Sequence, residues 1–186
     1  MSAITDINWL FQKYFSDNPQ LKRIVIIHSE QVAKKALKIC SAKKLSLNPV
    51  DIYCAAFLHD IGVVMCDAPD IGAHGNLPYI RHGIEGRKIL EQHGLFQYAS
   101  ICDTHTGSGI TAEEIVKNNI PLPVKDYLPL TLLEKLICYS DKFFSKSHDL
   151  LHEKSIEEIT SQMKKFGEDS LKRFLELHEL FCISNQ

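Results

Sequence analysis

Apolar residues recur every three to four positions along almost the whole of this chain, and that helical period leaves little room for a β-sheet core. Ile7, Leu10, Phe11 and Tyr14 mark a first helix over 4–15, ended by Asp17-Asn18-Pro19. Pro19 opens a second helix whose stripe of Ile24, Ile27, Val32, Ala36 and Ile39 runs to about Leu45. Asn48, Pro49 and Asp51 start a third, predicted to reach Cys66. Further helices are predicted over 80–93, 96–104, 112–118, 131–145, 155–166 and 168–182, the last pair separated by Gly167. Residues 67–79, rich in Asp, Asn, Gly and Pro, read as a loop and a candidate cover for a site. With no internal repeat, no Val/Ile-rich alternation and no linker, the expectation is an all-α helical bundle. Residues 1–186 are expected to form a single domain, with the helices of 150–186 packing on the rest.

A chain of 186 residues can bury a sizeable core without disulfides or a second domain. Its formal charge of -2 lacks the basic excess that drives nucleic-acid and anionic-membrane binding, so neither is expected as a partner. No basic stretch followed by an apolar run opens the chain, and no apolar run approaches the ~20 residues that span a bilayer. A soluble, cytoplasmic protein is expected. The six cysteines lie far apart without a C-x-x-C pair and read as reduced core thiols.

Against this background one set of residues is out of place. His28 lies inside the second helix, His59 and Asp60 in the third, His82 in the first turn of the 80–93 helix, and His105 at the end of the 96–104 helix. Leu130, Leu133, Ile137 and Asp141 follow i, i+3, i+7 and i+11, which turns an acid toward the apolar stripe. Unpaired buried charges are expensive, and a purely structural core seldom collects four histidines and two carboxylates. A bound metal removes the expense.

In order and context, His28, the adjacent pair His59-Asp60 and the distant Asp141 resemble the pattern of the HD-domain phosphohydrolase superfamily. His59-Asp60-Ile61-Gly62 is similar to the HD-Ile-Gly form of a large bacterial and archaeal subset, and the segment from Tyr127 through Glu134-Lys135 to Asp141-Lys142 looks like that subset as well. The resemblance covers about 21–146, and it implies an all-helical core with a metal-dependent phosphohydrolase site. His82 and His105 match the two extra histidines of members that hold two metals. By that resemblance one metal takes His28, His59, Asp60 and Asp141 and the second takes His82 and His105, with Asp60 bridging. Catalysis would then centre on His59 and Asp60.

Two cations about 3.5 to 4 Å apart can share a water, lower its pKa and stabilise the oxygens of an in-line phosphoryl displacement. Imidazole and carboxylate donors without thiolates suit divalent iron, manganese, cobalt, nickel or zinc, and two such ions are expected as cofactors. The expected substrate is a small phosphorylated molecule, a nucleotide or a relative of one. The ligand set is equally that of HD-type di-iron oxygenases, and a regulatory module that binds a nucleotide or metal without turnover is a further alternative. Arg81, Arg87 and Lys142, with Lys146, flank the ligands and are candidates for gripping phosphate. His148 and His152, at i and i+4 amid charged residues, read as a solvated face; His178 reads as structural and His74 as a loop histidine. Gly107-Ser108-Gly109 reads as a turn that positions His105. The stripe of Leu171, Phe174, Leu175 and His178 either packs on the core or pairs two copies of the chain.

Overall fold

The computed structural model describes residues 3–147 and 149–183, so His148 lies outside the described residues. The fold is all-α. In chain order the helices are α1 (Ala3–Phe15), α2 (Pro19–Ala42), α3 (Pro49–Leu58), α4 (His82–Gln92), α5 (Phe96–Thr104), α6 (Ala112–Lys117), α7 (Leu132–Asp141), α8 (Ile156–Lys165) and α9 (Glu168–Phe181). Their starts follow local chemistry. The side chain of Asn18 accepts a hydrogen bond from Leu21 N ahead of Pro19, and Asn48 accepts one from Val50 N ahead of Pro49. Reciprocal capping boxes open α6 (Thr111 with Glu114), α7 (Thr131 with Glu134) and α8 (Ser155 with Glu158).

Helix α7 lies centrally, against α2, α3, α5 and α9, while α4 is sandwiched between α5 and a 3-10 turn at Ile61–Met65. The shared core includes Leu10, Phe15, Leu21, Ile39, Ile52, Leu58, Leu90, Ile101, Leu136, Phe174 and Phe181, all essentially inaccessible to solvent. A smaller cluster of Ile110, Ile115 and Tyr127 sits beside it, with Ile80 and Ile120 packed on its flank. Of the stripe on α9, Phe174 is buried with Leu177 and Phe181, and His178 Nδ1 lies 2.8 Å from the Tyr139 hydroxyl; Leu175 stays exposed. The described cysteines form no disulfide, and five are buried. Among the described residues no helix is long and apolar enough to cross a membrane.

Three local expectations change. The segment predicted as a loop contains strands β1 (Cys66–Ala68), β2 (Ala73–His74) and β3 (Leu77–Pro78), in order β2-β1-β3, antiparallel for β1/β2 and parallel for β1/β3. Strands of two or three residues are too short to show alternation in sequence. The third helix stops at Leu58 instead of reaching Cys66, the chain passing through His59 and Asp60 into the 3-10 turn. Helix α7 ends at Asp141 rather than Ser145, so Lys142 to Ser147 follow no helical face.

Candidate metal centre

The early end of α3 shapes the centre. His59 keeps helical dihedrals and bonds back to Ala55, whereas Asp60 leaves them to cap the 3-10 turn; both reach one buried cluster, and both are fully inaccessible. Gly62 then lets α4 close over the turn: a Cβ there would stand 2.1 Å from His82 O and 2.2 Å from Gly86 N. Gly83 on α4 likewise meets α5, a Cβ there falling 2.5 Å from Cys102 O. These close approaches bring His82, at the start of α4, and His105, at the end of α5, to the far side of Asp60.

Asp60 is the middle of the cluster. Its Oδ2 lies 2.9 Å from His59 Nε2 and 3.3 Å from His28 Nε2, and its Oδ1 lies 3.4 Å from His105 Nε2 and 3.6 Å from His82 Nε2. Asp141, at the end of α7, closes the first side with Oδ1 2.9 Å from His28 Nε2 and 3.5 Å from His59 Nε2. Two potential metal groups result, His28-His59-Asp60-Asp141 and Asp60-His82-His105, every donor buried and within 4.8 Å of the others in its group.

The tautomers fit a metal. Nδ1 of His59 lies 2.7 Å from Ala56 O, that of His82 2.7 Å from Tyr79 O, and that of His105 3.1 Å from Ile101 O. A carbonyl only accepts, so each Nδ1 carries a hydrogen and each Nε2 faces the cluster, where a metal can take the place of a proton. The Nε2 atoms of His82 and His105 nevertheless stand 3.0 Å apart, and those of His28 and His59 3.3 Å apart. Between His82 and His105, whose hydrogens both sit on Nδ1, facing lone pairs at that distance repel unless a cation lies beside them. Both oxygens of Asp60 lack a well-directed hydrogen bond, and the cation that stands beside them is Lys146, with Nζ 2.7 Å from Oδ2.

Electrostatics tell the same story. Burial, then neighbouring His105, pushes His82 down to about 3, so it stays a neutral ligand. Burial works against protonation of His59 too, but Asp60 and Asp141 outweigh it and raise that ring to about 9. The proton they attract occupies the role that a divalent cation would take. Burial disfavours the ionised forms of Asp60 and Asp141, yet His59 and Lys146 around the first and Lys142 and Lys146 around the second hold both carboxyls well below the usual range.

The lysines stand closer than the arginines. Lys142 Nζ is 2.7 Å from Asp141 Oδ2 and 2.9 Å from His105 O; Lys146 Nζ is 2.7 Å from Asp60 Oδ2. Lys146 lies in no helix, so only the turn after α7 reveals its contact. Arg81 pairs with Glu85 at 2.9 Å, and Arg87 with Glu91 at 2.8 Å and Asp103 at 3.2 Å; neither lines the clefts beside the cluster. His74 is exposed, and His152 pairs with Glu158 at the surface. Two residues that sequence patterns did not single out flank the centre: Tyr79, stacked on His82 at 4.7 Å, and Phe166, at the turn between α8 and α9.

A family model, the HD domain, matches residues 25–146. The chain is 31% identical over 159 residues to an uncharacterized protein of Methanocaldococcus jannaschii, covering 83% of this chain and 86% of that protein. It is also 29% identical to a tRNA (cytidine(56)-2'-O)-methyltransferase of Thermoplasma volcanium and 30% identical to one of Picrophilus torridus, in each case over 78% of this chain. The chain spans only 38% and 41% of the length of those two proteins. No solved structure matches it. The matched segment runs from α2, ahead of His28, to Lys146, so it takes in every donor of the buried cluster, and the chain belongs to the HD-domain family.

Proposed function

We propose that this protein is a metal-dependent phosphohydrolase with a dinuclear centre of the HD-Ile-Gly kind, acting in the cytoplasm on a phosphate ester or anhydride of a small molecule, nucleotides included. The observation that carries the reading is the carboxylate of Asp60, whose two oxygens each face a different pair of histidines. His28, His59 and Asp141 would hold one ion with Asp60, and His82 and His105 the other. When bound, two divalent ions supply hydroxide near neutrality and positive charge for the phosphate oxygens.

The remaining work falls to the chain's own groups. Three histidines are locked in one orientation by their Nδ1 bonds to backbone carbonyls, which holds each Nε2 inward. Lys142 and Lys146, beside the carboxylates, attract and orient an anionic phosphate. The buried walls of α3, α5 and α7 keep bulk water from the ligands. A methyl-transfer reading, which the names of two relatives raise, gains nothing from this cluster, whose donors are those of a metal site.

The test is metal content measured alongside phosphate release from monoesters and nucleoside phosphates, and alcohol release from diesters, under anaerobic conditions. Two ions per chain are expected, with His105→Ala retaining one. Asp60→Ala is expected to lose both ions and to slow hydrolysis by about a thousandfold or more. Bound iron with product formed only in the presence of oxygen would overturn the hydrolase reading in favour of an oxygenase; nucleotide binding that Asp60→Ala leaves unchanged, with no turnover, would point to a regulatory module.

A further inference from the structure

Two clefts open beside the metal centre, and their walls differ in chemistry. One, of about 400 Å³, is lined by Asp141 with Lys142, Lys146 and Lys154. The other, of about 610 Å³, touches His82 and is walled by Ile80, Ile110, Ile120 and Phe166. Tyr79, Gly107 and Phe166 belong to both, so the clefts are neighbouring lobes of one site on either side of the buried ligands. Two of the polar groups in the second lobe are bonded within the protein, Arg173 through its Nη2 while its buried Nε has no partner, and Lys165 stands exposed at the rim. Arg173 is bonded to Glu114 at 2.8 Å and to Gly109 O at 3.0 Å, and Ser170 Oγ lies 3.1 Å from Ser108 Oγ. Asn118 and Asn119 sit exposed at its rim.

We infer that the substrate is a phosphate ester of an apolar alcohol: the phosphate sits in the lysine lobe and the organic group fills the lobe of Ile80, Ile110, Ile120 and Phe166. This rests on the phosphohydrolase reading and narrows it. A sugar or a nucleobase brings several donors and acceptors that must give up water, and the faces of Ile80, Ile110, Ile120 and Phe166 return no hydrogen bonds to them. A branched or linear hydrocarbon gives up nothing there and gains from burial. Phe166 and Arg173 lie beyond the segment that matches the family, so the C-terminal hairpin of α8 and α9 supplies the selectivity while the family core supplies the ligands.

Three esters of primary alcohols separate the possibilities: n-hexyl phosphate, glycerol 1-phosphate and adenosine 5'-phosphate, assayed on the metal-loaded full-length chain. The kcat/KM for hexyl phosphate is expected to exceed both others by about tenfold or more, the effect of burying two methylenes. Ile120→Asn and Phe166→Ala should each shrink that ratio; Phe166 is 64% exposed, so its loss does not threaten the core. Calorimetry supplies a readout free of turnover: hexylphosphonate should bind about tenfold or more tighter than methylphosphonate, with a more negative heat-capacity change, and both variants should narrow the gap. Equal rates with equal phosphonate affinities would overturn the inference and leave the hydrolase standing, as would adenosine 5'-phosphate proving the best of the three. If none of the three releases phosphate, this inference fails, and turnover of diesters or anhydrides decides the hydrolase reading separately.

Discussion

Asp60 and Gly62 show how two residues two positions apart do unrelated work. Asp60 places one oxygen before each histidine pair, a role that a longer or neutral side chain would not reproduce. Gly62 has no chemistry of its own, but α4 crosses it so closely that any side chain would strike backbone at 2.1 Å from His82 O. Gly62→Ala is therefore expected to destabilise the protein by about 3 kcal/mol or more, since backbone rather than a flexible side chain must move. Urea unfolding measures the loss, and metal analysis should show the His82 side emptied first; an unaltered midpoint would mean that α4 sits farther away than described. The His-Asp-Ile-Gly string thus has a physical reading: two ligands, a buried apolar residue, and a gap for the helix that brings the next ligand.

At the scale of elements, α7 carries Asp141 at its last position and is held at its first by Glu134. That carboxylate accepts from Leu130 N at 2.7 Å, Thr131 N at 2.9 Å and the hydroxyl of Ser100 on α5. Burial would raise its pKa, but these donors outweigh it and bring it below the ordinary 4.5. A carboxyl lowered on folding contributes stability that is present above its unfolded pKa and is lost as pH falls through the folded value. Glu134→Gln should accordingly cost about 1 kcal/mol near neutrality. The difference from the native chain should close below about pH 4, and thermal unfolding across pH 3–7 checks it; a difference constant with pH would assign the effect to shape rather than charge.

Taken whole, the molecule joins a ligand-bearing core to a C-terminal hairpin that is not an appendage. Ile159, Met163, Phe174, Leu177 and Phe181 are all buried, and Tyr139 on α7 stacks near Phe174 at 5.8 Å. Burying five such side chains contributes roughly 10 kcal/mol before entropy is counted, comparable with the whole stability of a domain. A chain ending at Ser147 is expected to unfold at least ~10 °C lower or to aggregate, as calorimetry and light scattering would show. If it instead stayed folded and merely changed oligomeric state, the stripe on α9 would be an interface between copies.

What the amino-acid order determined was what repeats locally or is conspicuous by its burial. The helices and the odd histidines and acids in apolar stripes were legible because helical period and the expense of buried charge are written within a few residues. Tertiary structure decided the rest. The close crossing of α4 over the turn that follows Asp60 depends on the missing side chain of Gly62. The contact of Lys146 with Asp60 depends on a turn that continues no helical face. Phe166 and Ile120 come together at one lobe from segments far apart in the chain. Such meetings arise from packing between distant elements, for which no local pattern carries a signal, whereas the candidate ligands stand openly in the chain.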